Sequence, residues 1–105
     1  MNKKLFELLT GAIENAAEAA NGKMVRHSEV GDYLTACSYA QDIASFYKFL
    51  SDIRHIDDAN ELKGVDDWAF IKWWALDADG INCIHEYAED YDLEEYEGEV
   101  IKLFE

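Results

Sequence analysis

Residues 30–53 run VGDYLTACSYAQDIASFYKFLSDI. Val30, Tyr33, Leu34, Cys37, Ala40, Ile43, Ala44, Tyr47, Leu50 and Ile53 recur every three or four positions, the period of a continuous apolar helix face. Gly31 and the capping-box pattern Ser38-x-x-Gln41 mark the places where this long helix would start late or divide. No proline occurs anywhere in the chain, so the strongest helix breaker is absent.

Working outward, the same period appears upstream in Leu5, Leu9, Ala12, Ile13, Ala16, Ala17 and Ala20. It predicts a helix over residues 3 to 20 that Asn21-Gly22 would stop in a left-handed turn. Downstream, Asp57-Asp58 and Gly64 bracket a loop or a short turn of helix. Asp66 can cap a segment from Asp67 to Ala78 with Gly80 beyond its end, and Asn82 can cap a helix carrying Ile84, Tyr87, Ala88 and Tyr91. Asp92-x-x-Glu95 is a capping box ahead of Leu93, Tyr96, Val100, Leu103 and Phe104. The expectation is a mainly α protein, one domain over residues 1–105 built as a compact bundle of about five helices. The alternative is an α+β fold with a hairpin near residues 69–87, in which Phe70 to Trp74 and Ile81 to Ile84 flank a turn at Asp77-Ala78-Asp79-Gly80.

A chain of 105 residues has the size of a single core, and half of its residues are apolar, too many for a disordered segment despite the charge. Met1 to Phe6 imitates the start of a signal peptide, yet Glu7 interrupts the apolar run and Glu14 and Glu18 follow at helical spacing, so the segment reads as part of the fold. No run of 18 apolar residues is present to span a bilayer. Cys37 and Cys83 form no CxxC pair and read as small apolar residues of a reducing cytoplasm.

Charge is the loudest signal. The 23 acids and 9 bases leave a net charge of −14, which excludes a nonspecific grip on nucleic acid or on an anionic membrane and makes any charged partner a basic one. Residues 1–56 hold 7 acids and 6 bases, whereas residues 57–105 hold 16 acids and 3 bases. Between Glu86 and Glu99 lie eight carboxylates (Glu86, Glu89, Asp90, Asp92, Glu94, Glu95, Glu97 and Glu99) and no Lys or Arg. On a helix, acids three and four apart lie about 5 to 6 Å from one another, on the scale of phosphates along a nucleic-acid strand, and they repel. Tyr87, Tyr91 and Tyr96 interleave with them as anchors for a partner or as the core face of the same helix, and Trp73 or Trp74 must point outward because neighbours on a helix diverge by about 100°. The plainer reading of the acids is a solvated face that keeps a small protein in solution.

Catalytic and metal motifs are fragmentary. Asp77, Asp79, Gly80 and Glu86 match four positions of a calcium-binding EF-hand loop, but Ala75 stands at its first position, so calcium is a weak alternative. His85-Glu86 begins a zinc-protease motif whose second histidine is replaced by Glu89. No glycine-rich phosphate cradle, nucleophile elbow or kinase signature is present, and no catalytic residue or cofactor is assigned.

These readings converge on an acidic inhibitor that occupies a basic, nucleic-acid-binding surface of a target protein such as a nuclease complex, without touching nucleic acid or membrane itself. By class-level analogy it is similar to the DNA-mimic proteins that phages and mobile elements use against restriction and CRISPR nucleases. An immunity or antitoxin-type inhibitor of a basic toxin enzyme follows from the same charge logic. A calcium-binding or small catalytic domain is the expectation from another class.

Overall fold

The computed structural model describes residues 2–105 as five α-helices joined by short turns: α1 Lys3–Glu29, α2 Tyr33–Ile53, α3 Trp68–Leu76, α4 Ala78–Asp90 and α5 Glu97–Phe104. Two 3-10 segments, Ala59–Gly64 of two turns and Glu94–Tyr96 of one, sit in the α2–α3 and α4–α5 connections. No strand forms among the described residues, so the hairpin alternative for residues 69–87 does not hold. The region is instead a helix–helix corner, because burying Ile71, Trp74 and Ala75 on one side and Ile84 and Ala88 on the other satisfies the helical period, not the strand period.

α1 and α2 make an antiparallel hairpin whose turn, Val30 to Asp32, is closed by Gly31 in the left-handed region, with φ +80°. Asp32 caps α2, its carboxylate accepting from the Thr35 amide at 3.4 Å and meeting His27 Nδ1 at 3.0 Å. The hydrogen bonding at Thr35 comes first among the causes that hold its pKa below the usual aspartate value. At the other end Asn2 caps α1 by accepting from the amides of Lys4 and Leu5.

The core lies at one end of this hairpin. Leu5, Leu8, Leu9, Ala12, Ile13, Ala16 and Ala17 of α1 and Phe46, Phe49, Leu50 and Ile53 of α2 meet Leu62, Ile71, Trp74, Ile84, Leu93, Val100 and Phe104. Beyond Ala17, α1 buries only Ala20, and before Phe46, α2 buries only Ala36, so the hairpin's turn end stands clear of the bundle. The molecule measures 43 × 29 × 20 Å as a result.

Several expected boundaries move, each for a local reason. Asn21-Gly22 does not stop α1, which runs nine residues past Ala20 to Glu29; Gly22 stays within the helix, where a β-carbon would meet nothing from the rest of the fold within 4 Å. α2 starts at Tyr33, after the turn at Gly31, and does not divide at Ser38, because Asp32 supplies the cap before it. α3 starts at Trp68 after Asp67, whose backbone is left-handed (φ 67°), and Asp66 pairs with Lys48 at 3.2 Å instead of capping. α4 begins at Ala78 after Asp77, four residues ahead of Asn82. The box at Asp92 is not made either: Asp92 is left-handed (φ 56°) and a 3-10 turn precedes α5.

Gly80 has a different role from the helix stop expected of it. It is buried in the first turn of α4, where a β-carbon would overlap the backbone carbonyl of Trp74. The missing side chain lets α4 cross directly against the end of α3, and that crossing sets the geometry of the site below.

Candidate functional site

The α3–α4 corner decides which aromatics face solvent. The Asp77 amide donates to the carbonyls of Trp73 and Trp74 at 3.1 and 3.2 Å, closing α3. Trp74 turns inward against Phe46 (5.4 Å between rings), whereas Trp73 stays 64% exposed. The divergence of adjacent helical residues thus makes Trp73 the outward one. Trp68, at the start of α3, is half-buried and stacks on Phe104 at 5.0 Å.

Trp73 lies on the rim of a groove of about 490 Å³ between the α1–α2 hairpin and the α3–α4 corner. Phe46, Phe70 and Trp74 line it together with Ala16, Ala19 and Ala20, while Asp42, Asp77, Asp79 and Glu86 put four carboxylates on its walls. Lys23 is the only base there, and its ammonium sits over the Tyr39 ring at 5.8 Å from the centroid. Among the described residues none of the four carboxylates has an ion-pair partner. Burial raises the pKa of Asp42 above the usual aspartate value, the signature of a carboxylate desolvated with no cation to compensate it. The Cys83 thiol on the same wall is raised as well, first by burial and then by Glu86 and Asp79.

The sequence-derived acids spread over a second, continuous surface. Glu86, Glu89, Asp90, Asp92, Glu94, Glu95 and Glu99 are exposed and Glu97 is half-buried. α4 and the start of α5 are joined by His85, whose Nε2 lies 2.8 Å from Glu89 and whose Nδ1 lies 2.9 Å from Glu97. A carboxylate on each ring nitrogen favours the imidazolium form, and the pKa is raised above the usual histidine value, first by the Glu97 hydrogen bond and then by the charge of Glu89. One weak base therefore fastens two acidic segments side by side. The carboxylates of Glu97 and Glu99 in the first turn of α5 also meet the positive end of its helix dipole.

The tyrosines meet other neighbours. Tyr87 is half-buried with its ring across Gly11 of α1, where even a β-carbon would collide with it, and Tyr91 stacks on it at 4.3 Å while remaining 56% exposed. Tyr96 is half-buried, its hydroxyl pKa raised by desolvation and by Glu95. Neighbours in sequence thus meet different surroundings around α4: Tyr87, with Tyr91 stacked on it, packs across Gly11 of α1, Glu86 turns to the groove wall beside Ala16, Ala19 and Ala20, and Glu89 pairs with His85. Of the residues singled out from sequence, Trp73, Trp74, Asp77, Asp79 and Glu86 are brought together around the open groove. Asp42 and Lys23 were not legible, because they belong to the near-neutral half and carry no motif.

Asp77, Asp79 and Glu86 do line one groove, but residues 78–86 are helical and do not form the calcium loop their spacing suggested. Among the described residues no group of three or more His, Cys, Asp or Glu side chains is placed to hold a metal ion, and no helix is long and apolar enough to cross a membrane. Comparison with protein-family models, with curated proteins and with solved structures finds no match to this chain.

Proposed function

We propose that this chain acts by binding alone, as a stoichiometric inhibitor that covers a basic, nucleic-acid-binding surface of a target protein in the cytoplasm. One observation carries the reading. The outward carboxylates of α4, of the Glu94–Tyr96 turn and of α5 have no lysine or arginine partner, and through Glu86 they run into a groove with an exposed tryptophan on its rim. Unpaired charge steers a basic protein into encounter, and an aromatic anchor beside a desolvated pocket slows its release.

The groove adds weight to one form of this inhibition. A cleft of about 490 Å³ with aromatic walls and four acids suits a single basic side chain better than it imitates an extended phosphate strand. That favours an immunity-type inhibitor seated on a basic toxin enzyme as the second reading beside the DNA mimic.

The test is capture of partners from bacterial lysate at low and then high salt, repeated with Glu86→Lys/Glu94→Lys/Glu95→Lys. Recovery of a basic nucleic-acid enzyme at low salt, lost in the triple variant and displaced by nucleic acid, supports the DNA-mimic form. The same recovery without displacement by nucleic acid supports the immunity form. No basic partner at either salt concentration overturns both.

A further inference from the structure

The turn end of the α1–α2 hairpin carries a second apolar surface that the bundle leaves uncovered. α2 has two apolar faces. Phe46, Phe49, Leu50 and Ile53 are buried in the core, while Val30, just ahead of α2, and Tyr33, Cys37, Ala40, Ala44 and Tyr47 are all exposed. Within α2, Tyr33, Cys37, Ala40, Ala44 and Tyr47 alternate steps of four and three, the spacing of a coiled-coil seam that Val30 extends into the turn. Val30 is 79% exposed, Tyr33 69%, Tyr47 49% and the flanking Leu34 89%, far from the usual fate of large apolar side chains on a long amphipathic helix.

We propose that this seam is an interface with a second copy of the chain, packed antiparallel about a two-fold axis. Three observations select that occupant. The first is charge. A protein carrying −14 repels its own copy, yet the seam itself contains no carboxylate; Glu29 borders it beside Cys37 and Ala40, Glu14 borders it beside Tyr47, and the Lys48 ammonium on its other flank is paired with Asp66. The seam belongs to the near-neutral half of the chain, residues 1–56 with 7 acids and 6 bases, and shares no residue with the groove that Asp79 and Glu86 line.

The second is shape. The seam is small in the middle (Cys37, Ala40, Ala44) and large at both ends. In an antiparallel register that layers Ala40 on Cys37 of the other copy, Tyr33 lies over the other Ala44 and Val30 meets the other Tyr47. Large groups fall on small ones at one end and the two-fold axis repeats the fit at the other, which is the self-complementarity an isologous contact requires. The alanines let the two helices approach closely.

The third is area. Tyr33 to Tyr47 spans about 21 Å of helix, and the exposed parts of Tyr33, Leu34, Tyr47, Val30 and the neighbouring Val25 amount to roughly 600 Å² per copy, near the lower end for a specific interface. The dimer is therefore weak and depends on concentration. It is independent of the inhibitor reading, whose surface lies elsewhere.

Sedimentation velocity on the full chain from about 5 to 500 μM, at low and high salt, tests the proposal. The expected result is a shift from the 12.0 kDa monomer toward twice that mass as concentration rises, stronger at high salt because screening relieves the repulsion between two −14 chains. Binding through the carboxylate face has the opposite salt dependence, so failure of one reading is distinguishable from failure of the other. Ala40→Glu places two carboxylates at the centre of the seam and is expected to leave monomer throughout, with helicity and thermal unfolding of the dilute protein unchanged because Ala40 is exposed in the monomer. Monomer at every concentration and both salt levels, or a dimer indifferent to Ala40→Glu, overturns the proposal.

Discussion

Replacing glycine by alanine at two helical positions should change stability in opposite directions, and the difference tests the packing at the α3–α4 corner. Gly22 and Gly80 both lie within helices, so alanine gains about 1 kcal/mol of helix propensity at either. At Gly22 nothing lies within 4 Å of the added β-carbon, and the gain should appear in full. At Gly80 the β-carbon overlaps the carbonyl group of Trp74 and comes within 3.0 Å of the Ala75 α-carbon. These are backbone atoms, so no rotamer change relieves the clash; α3 and α4 have to separate. Overpacking of this kind costs about 3 kcal/mol, which exceeds the propensity gain and leaves Gly80→Ala less stable by about 2 kcal/mol. For a domain of this size 1 kcal/mol moves the melting temperature by roughly 4 to 8 °C, so Gly22→Ala should melt that much higher and Gly80→Ala roughly 8 to 16 °C lower. Thermal and urea unfolding followed by circular dichroism measure both. A Gly80→Ala protein as stable as Gly22→Ala would refute the close crossing and, with it, the placement of Trp73 beside Asp79 and Glu86.

Further outcomes follow from the charged groups. His85 has its folded pKa raised above the ordinary 6.5. The stability it contributes is fully present below about pH 6.5 and is lost as pH rises through the raised value; His85→Gln should flatten that loss, which unfolding measured from pH 5 to 9 would reveal. Asp42 is desolvated without a cation, so its charged form opposes folding; Asp42→Asn should raise the melting temperature at neutral pH while weakening capture of a basic partner, and an unchanged capture would remove Asp42 from the site. Trp73→Ala should leave stability within about 1 kcal/mol, since the ring is mostly exposed, yet weaken partner binding by about 2 kcal/mol, or about thirtyfold, in calorimetry.

The helical class, the apolar stripes of α1 and α2 and the concentration of acid after Glu86 were all determined by the order of residues alone, because helix periodicity and charge are local properties of sequence. So was the divergence of Trp73 from Trp74, which needs only the turn angle of a helix. Ends of helices were less legible. Asn21-Gly22 carries the form of a stop signal, yet α1 continues past it, and Gly80 has the look of a stop where it serves as a point of contact. A glycine permits both roles, and only the neighbouring backbone decides between them.

Tertiary structure alone decided which surfaces are mixed. Along α4, Tyr87 packs across Gly11 while Glu89 pairs with His85, and Asp42, Lys23, Trp73 and Glu86, drawn from four helices, come together around one groove. It also decided that one apolar stripe of α2 would be covered and the other left open, because the remaining helices are too few and too short to surround a hairpin whose first helix has 27 residues and whose second has 21. Burial depends on what arrives from elsewhere in the chain, and no local pattern records that.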